Sequence, residues 1–166
     1  THRAFEAWDY RQTYGKPEPV ARDPTPGYVP ARADDLPRQR DVARFYGAPG
    51  PQVEAHLTLV ELPFKLRLDW NLRQRTNKMR VHEKCAPSLH AAMIAVRDHY
   101  GADRMRALGI DRYAGGYMHR KMRGGDRWSM HAYGCAVDFY ARPNGLRMRC
   151  PEALFCGANY KAFLDS

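Results

Sequence analysis

The hydrophobic residues change their spacing along the chain, and this change limits the fold to one that mixes strands and helices. Leu66, Leu68 and Trp70 alternate with charged residues, which is the two-residue period of a half-buried strand. Further on, apolar side chains recur every three or four residues from Val81 to Tyr100, which predicts a helix with one buried stripe. Because helices and strands alternate irregularly, we expect an α+β fold.

Prolines and glycines indicate where these elements end. The helix is expected to open at Ala86 or Pro87 and to end at Gly101, and Gly109 should stop a second helical piece over 102–108. The other expected elements are a short helix over 38–47, an edge or bend at Pro63, a strand over 115–121, a loop over 123–127, a tight turn over 129–134, a strand over 135–140, a turn over 143–145 and a helix that opens at the chain end.

The first 50 residues differ in composition from the rest of the chain. They hold 7 of the 12 prolines, and the proline-rich run within them shows no apolar period. Proline removes backbone donors and biases the preceding residue away from helix, so we expect an extended arm over about 13–37. The chain is thus divided into a proline-rich arm or linker with a short helix over 1–50 and a folded domain over 51–166.

The charge is concentrated in the second of these parts. The formal net charge is +9, of which +1 belongs to residues 1–50 and +8 to residues 51–166. A basic surface favours an anionic partner such as nucleic acid, anionic lipid or an acidic cell-wall polymer. No window approaches the ~18 apolar residues of a membrane span, which excludes a transmembrane protein. Aromatic residues make up 11% of the chain, which excludes full disorder.

Four cysteines, Cys85, Cys135, Cys150 and Cys156, bear on the compartment and on metal binding. None belongs to a Cys-x-x-Cys pair, which argues against a structural zinc knuckle. Cys150 and Cys156 could close a small disulfide in an oxidising compartment. Single buried or partly buried thiols are the favoured interpretation.

The residues with the clearest chemistry are His131 and Asp138, which lie seven positions apart with Gly134 between them. A tight turn followed by a strand could fold His131 back over the strand that carries Asp138. Histidine nitrogen and carboxylate oxygen are ordinary zinc ligands, and a catalytic zinc takes three protein ligands and one water. This pair therefore predicts half of a zinc site, with a third ligand from elsewhere.

A resemblance follows from the residues around this pair. Ser129, His131, Gly134, Ala136 and Asp138 match the pattern Ser-x-His-x-x-Gly-x-Ala-x-Asp. This pattern resembles the zinc D-alanyl-D-alanine carboxypeptidase and L-alanyl-D-glutamate endopeptidase family of the Hedgehog/DD-peptidase superfamily, which includes phage endolysins. The upstream run GGYMHRKMRGG is similar to the family's strand that carries an aromatic residue and an arginine. The resemblance covers about residues 55–150 and implies an antiparallel sheet with flanking helices.

The resemblance also implies roles for single residues. It makes His131 and Asp138 zinc ligands, and it makes Arg120 the arginine that holds the substrate and the developing oxyanion. A fixed guanidinium beside the scissile carbonyl suits the negative charge that forms there. Arg120 could instead belong to a solvated basic face.

Four further residues near the motif have expected positions. Ser129 is expected to support the turn or to hydrogen-bond near the site. Trp128 and Tyr133 flank the motif and are expected either to line the substrate cleft or to pack in the core. His119 is expected on the opposite side of the strand from Arg120, as a structural or surface residue and the first substitute ligand to test.

The sequence departs from the family in one respect. The family supplies a third ligand, a histidine, together with a catalytic glutamate near its C-terminal end. No histidine follows His131, and the only acids after Asp138 are Glu152 and Asp165. We expect the missing groups to lie beyond Ser166; a domain that has lost its activity is the alternative.

These features predict a zinc metallopeptidase that hydrolyses peptide bonds in peptidoglycan stem peptides at the bacterial cell wall. The net charge of +8 on residues 51–166 suits an anionic wall. A metal-binding wall-recognition domain without hydrolysis is the first alternative. A nucleic-acid-binding module is the second; it is motivated by charge alone and lacks a basic helix, a zinc knuckle or an interleaved aromatic and basic strand.

Overall fold

The computed structural model describes residues 37–166 and shows an α+β fold, as the two hydrophobic periods predict. The sheet consists of β1 (Leu57–Leu68), β2 (Asn71–His82), β3 (Arg112–Gly115) and β4 (Asp138–Phe139). The helices are α1 (Val42–Tyr46), α2 (Pro51–Glu54), α3 (Ala86–Leu108) and α4 (Lys161–Leu164). The arm expected over about 13–37 lies outside the described residues, apart from Pro37.

The four strands form one mixed sheet in the order β2-β1-β3-β4. The pairs β1–β2 and β3–β4 are antiparallel, but β3 runs parallel to β1. The expectation of an antiparallel sheet is therefore wrong. Helix α3 connects β2 to β3 and carries the chain to the other side of β1. Strand β3 therefore lies beside β1 and runs in the same direction as β1.

Strand β2 has no counterpart among the predicted elements. Its first five residues are exposed, so they show no apolar alternation that could be recognised in the sequence. Backbone pairing with β1 holds it instead, from Leu57 opposite His82 to Leu68 opposite Asn71. The ladder is irregular between Glu61 and Leu66, around Pro63, where a bend was expected.

Helix α3 confirms the predicted boundaries. It begins at Ala86 with Pro87 in its first turn. Its backbone leaves helical geometry at Gly101, where φ is 69° and ψ is 162°, and it ends at Gly109 in the left-handed region. The two predicted helical pieces are thus both present, and they meet at a kink at Gly101. The short helix expected over 38–47 is present as α1 with a preceding 3₁₀ turn (Gln39–Asp41), and the helix expected at the chain end is present as α4.

The core lies between α3 and the sheet. Met93 of α3 is buried in one cluster with Leu66 and Leu68 of β1 and Tyr113 of β3. Val96, the next buried residue of the predicted stripe, belongs to a neighbouring cluster at the far end of the helix. None of the described helices has both the length and the apolar character that crossing a membrane requires.

The strands predicted over 115–121 and 135–140 are largely wrong. Strand β3 ends at Gly115, and only Asp138 and Phe139 form β4. The segment after β3 pairs with the chain that follows it rather than with the sheet. For example, Ser129 N–H donates to the Arg120 carbonyl at 3.2 Å. Residues 118–122 and 127–131 form an irregular hairpin, and its tip is the predicted loop over 123–127.

The cysteines divide into two kinds. Cys150 and Cys156 form a disulfide, with their Cα atoms 5.6 Å apart, so the favoured interpretation of single thiols is wrong for this pair. The other two, Cys85 and Cys135, are free and half-buried, as expected.

Two Arg–Asp pairs join β1 to β3. Arg67 of β1 donates from Nε and Nη2 to the two carboxylate oxygens of Asp111, each at 2.6 Å. Reciprocally, Arg112 of β3 donates from Nε to Asp69 Oδ1 at 2.8 Å. All four side chains are between 12% and 18% exposed, so both pairs are largely shielded from water. The backbone pairing between β1 and β3 is short, and these ion pairs therefore reinforce it.

We predict that Asp111→Asn lowers the free energy of unfolding by about 3 kcal/mol, because it leaves the Arg67 charge shielded from water and without its bidentate partner. Urea denaturation measures this. The matched control is Asp165→Asn, which removes one partner of an exposed pair with Lys161 and should change stability little. Equal stability of the two variants would contradict the structural role of the Arg67–Asp111 pair.

Candidate metal and substrate site

The predicted tight turn is confirmed, and local contacts fix its shape. Residues Met130–Tyr133 form a 3₁₀ turn, and the hydroxyl of Ser129 caps it by accepting a hydrogen bond from His131 N–H at 3.4 Å. Gly134 ends the turn with φ of 68°. The carbonyl of Gly134 then accepts from His82 N–H at 2.9 Å, which docks the turn on the end of β2.

Gly134 is required for two reasons. Its φ lies in the left-handed region, and a Cβ at this position would come within 2.7 Å of the His82 backbone nitrogen and 2.6 Å of Leu57 Cδ2. Backbone cannot move aside as a flexible side chain can. The glycine of the motif therefore permits a close approach between the turn and β2.

We predict that Gly134→Ala is much more destabilising than Gly124→Ala. Both positions have φ near 70°, but a Cβ at Gly124 would meet nothing within 4 Å. The control should lose about 1 kcal/mol because of its backbone conformation. Gly134→Ala should lose a further 1–3 kcal/mol, roughly, through overpacking. Chemical denaturation of both variants compares them, and equal losses would contradict the close approach.

The structure brings His131 and Asp138 together, as the spacing predicts. His131 Nδ1 hydrogen-bonds the Gly116 carbonyl at 2.7 Å, so Nδ1 carries the proton in the neutral ring. The other ring nitrogen, Nε2, lies 3.3 Å from Asp138 Oδ2. The His131 side chain is 12% exposed and that of Asp138 is 55% exposed, so the pair opens to solvent on the carboxylate side.

The two side chains shift each other's pKa. Burial alone would lower the pKa of His131, but the hydrogen bond and the charge of Asp138 outweigh it, and the pKa is raised. Partial burial would raise the pKa of Asp138, but the hydrogen bond and charge of His131, with the charges of Arg120 and Arg123, lower it. The pair therefore favours an ionised carboxylate beside a basic imidazole.

A cleft of about 670 Å³ contains this pair. His131 and Asp138 line it together with three arginines, Arg120, Arg123 and Arg127. Arg120 donates to the Lys121 carbonyl at 3.3 Å through one Nη. The cleft thus combines an imidazole and a carboxylate with a strongly positive wall, which suits an anionic substrate.

The other predicted site residues have different positions. Ser129 lines the cleft as well as capping the turn. Tyr133 is buried in a core cluster with Tyr46 and Tyr117.

Trp128 stacks on His119, with ring centroids 4.7 Å apart and an angle of 12° between the rings. Lys121 lies over the same indole ring at 5.1 Å. His119 is exposed, and it does not join His131 and Asp138 in a group of three potential ligands.

Two groups at the site were not assigned a role from sequence. The Gly116 carbonyl orients His131, and a backbone group leaves no signature in residue type beyond the Gly-Gly pair that contains it. Arg123 lines the cleft, and its charge contributes to the lowered pKa of Asp138. Its exposure resembles that of any surface arginine in a basic run.

The geometry of the pair fits two positions of a zinc site. Ligand atoms about 2.0–2.1 Å from a tetrahedral zinc are separated by about 3.3–3.4 Å, which matches the pair. The hydrogen bond of Nδ1 to a carbonyl is also the usual support of a zinc-binding histidine. Within residues 37–166, no further His, Cys, Asp or Glu completes a group of three.

Comparison of the chain with protein-family models, curated proteins and solved structures found no match.

Proposed function

We propose that the protein is a zinc-dependent peptidase that hydrolyses peptide bonds in peptidoglycan stem peptides. The observation that carries this proposal is the His131–Asp138 pair, which places Nε2 and a carboxylate oxygen 3.3 Å apart in an arginine-lined cleft. The motif around the pair resembles that of the zinc D-alanyl-D-alanine carboxypeptidase and L-alanyl-D-glutamate endopeptidase family.

In this proposal His131 and Asp138 hold the zinc ion. When bound, zinc supplies a Lewis acid and lowers the pKa of water. Gly116 fixes the ring so that Nε2 faces the metal position, and Ser129 and Gly134 hold the turn that carries the ring. The proposal also requires a third ligand and a general base, which residues 37–166 do not place in one group with this pair.

Arg120 is proposed to bind the substrate and to stabilise the oxyanion. It lines the same cleft as the ligand pair, and its charge affects the pKa of both His131 and Asp138. Its contact with the Lys121 carbonyl is long at 3.3 Å, so the guanidinium can exchange it for a charged partner. Its planar fork suits a carboxylate or a developing oxyanion.

The proposed location is the bacterial cell wall. The net charge of +8 on residues 51–166 favours an anionic polymer. The Cys150–Cys156 disulfide adds support, because structural disulfides persist mainly outside the reducing cytosol. Secretion, the periplasm and delivery by a phage all fit these two features.

A second candidate is a wall-recognition domain that binds metal without hydrolysis. One observation favours it: residues 37–166 provide two clustered ligands, one histidine and one aspartate, and no further His, Cys, Asp or Glu that completes a group of three. The same cleft and arginines would then bind stem peptides without cleaving them.

We predict that His131→Ala and Asp138→Ala each abolish zinc binding, because each removes one of two clustered ligands. Isothermal titration with zinc and metal analysis after dialysis measure binding. The control is His119→Ala, which removes an exposed histidine stacked on Trp128 and should leave zinc binding unchanged. Unchanged metal content in Asp138→Ala would refute the ligand assignment.

We predict that Arg120→Ala keeps the zinc and lowers kcat for peptidoglycan hydrolysis by about 10²–10³-fold, as expected for a lost oxyanion donor. Release of new amino groups from purified peptidoglycan measures the rate for the full-length protein. Arg44→Ala, which removes an exposed arginine outside the cleft, is the control and should keep full activity. Zinc binding without hydrolysis by the unmodified full-length protein would favour the wall-recognition domain.

A further inference from the structure

The two free cysteines meet although they are fifty residues apart in the sequence. Cys85 ends the 3₁₀ turn Glu83–Cys85 that leads into α3, and Cys135 follows Gly134 at the end of the motif turn. Both are half-buried against the same core cluster. Each thiol affects the pKa of the other, and Cys85 Sγ lies 3.9 Å from the hydroxyl of Tyr46, a member of that cluster.

Backbone contacts hold the two thiols in place. The bond from His82 N–H to the Gly134 carbonyl, at 2.9 Å, joins the two segments next to the cysteines. Cys135 N–H donates to the Met130 carbonyl at 3.1 Å, and its thiol lies 3.2 Å from the Tyr133 carbonyl. The thiols are therefore neighbours because of the fold, not because of a flexible loop.

The two thiols have different reactivities. The hydrogen bond from Cys135 lowers the pKa of the Cys85 thiol to about 7; burial opposes this shift, and the hydrogen bond with Tyr46 adds to it. The hydrogen bond to Cys85 and burial raise the pKa of Cys135. Cys85 is thus suited to attack as a thiolate, and Cys135 is suited to follow as the resolving thiol.

We propose that Cys85 and Cys135 are a covalent modification site, a dithiol that closes into a second disulfide by exchange with a small-molecule disulfide. The Cys150–Cys156 disulfide indicates that the chain encounters oxidising conditions, so that the dithiol would meet the same co-reactants. The new link would join the start of α3 to the segment between His131 and Asp138.

The exchange takes two steps that balance. The Cys85 thiolate, having lost its proton to solvent, attacks one sulfur of the small disulfide; a Cys85 mixed disulfide forms and one small thiolate leaves. Cys135 then loses its proton to that released thiolate and attacks the Cys85 sulfur, which expels the second small thiolate; this takes up a proton from solvent. Two protein thiols are oxidised to one disulfide, and the small disulfide is reduced to two thiols.

The test uses the full chain with oxidised glutathione as the probe, without added metal, followed by intact mass spectrometry, thiol alkylation and peptide mapping. The unmodified protein should lose both free thiols, retain no glutathione and yield a Cys85–Cys135 cross-linked peptide. Cys135→Ser should stably retain one glutathione on Cys85, because the resolving thiol is missing. Cys85→Ser should react much more slowly, because the remaining thiol has a raised pKa.

The double variant Cys150→Ser with Cys156→Ser is the matched control, and it should still form the Cys85–Cys135 link. The proposal would be overturned if the unmodified protein stably retained glutathione, or if both thiols stayed unreacted at a large excess of oxidised glutathione. A cross-link from Cys85 or Cys135 to Cys150 or Cys156 would overturn it as well. None of these readouts depends on zinc or hydrolysis, so the result is independent of the proposed function.

Discussion

The reciprocal ion pairs between β1 and β3 support the part of the fold on which the site depends. Backbone pairing joins these strands only at Arg67 with Arg112 and at Leu68 with Tyr113. The Arg67–Asp111 and Arg112–Asp69 pairs cross the same junction. Since β4 pairs only with β3, and Asp138 is the first residue of β4, the position of this carboxylate rests on that junction.

The carboxylate of Asp69 extends this support beyond β3. Besides accepting from Arg112, it accepts the backbone N–H of Ala141 at 3.2 Å, just after β4. Arg112 also lies over the ring of Tyr140, 3.7 Å from its centroid. The strand that carries Asp138 is thus also held at the residues that directly follow its two-residue ladder. A short β4 can position a site residue because side chains supply what the backbone pairing lacks.

The sequence predicted those parts of the site that depend on local spacing. The distance between His131 and Asp138 along the chain, with Gly134 between them, was sufficient to expect their convergence. The strand over 115–121 failed because its pairing is set by the chain after it, and β2 was not found because its outer half buries no alternating face. The role of the Gly116 carbonyl could not be predicted, because it depends on the approach of a distant ring.

The segment after Gly134 serves the cleft and the core with alternate residues. Ala136 and Asp138 line the cleft, whereas Cys135 and Val137 pack against core clusters, as expected for extended chain. The thiol of Cys135 therefore faces away from the proposed metal position, toward Tyr46 and Cys85. A disulfide formed at Cys135 would restrain the backbone that carries Asp138 without contacting its carboxylate. Oxidation of the thiol in the core and chemistry at the carboxylate in the cleft would therefore take place on opposite faces of this segment.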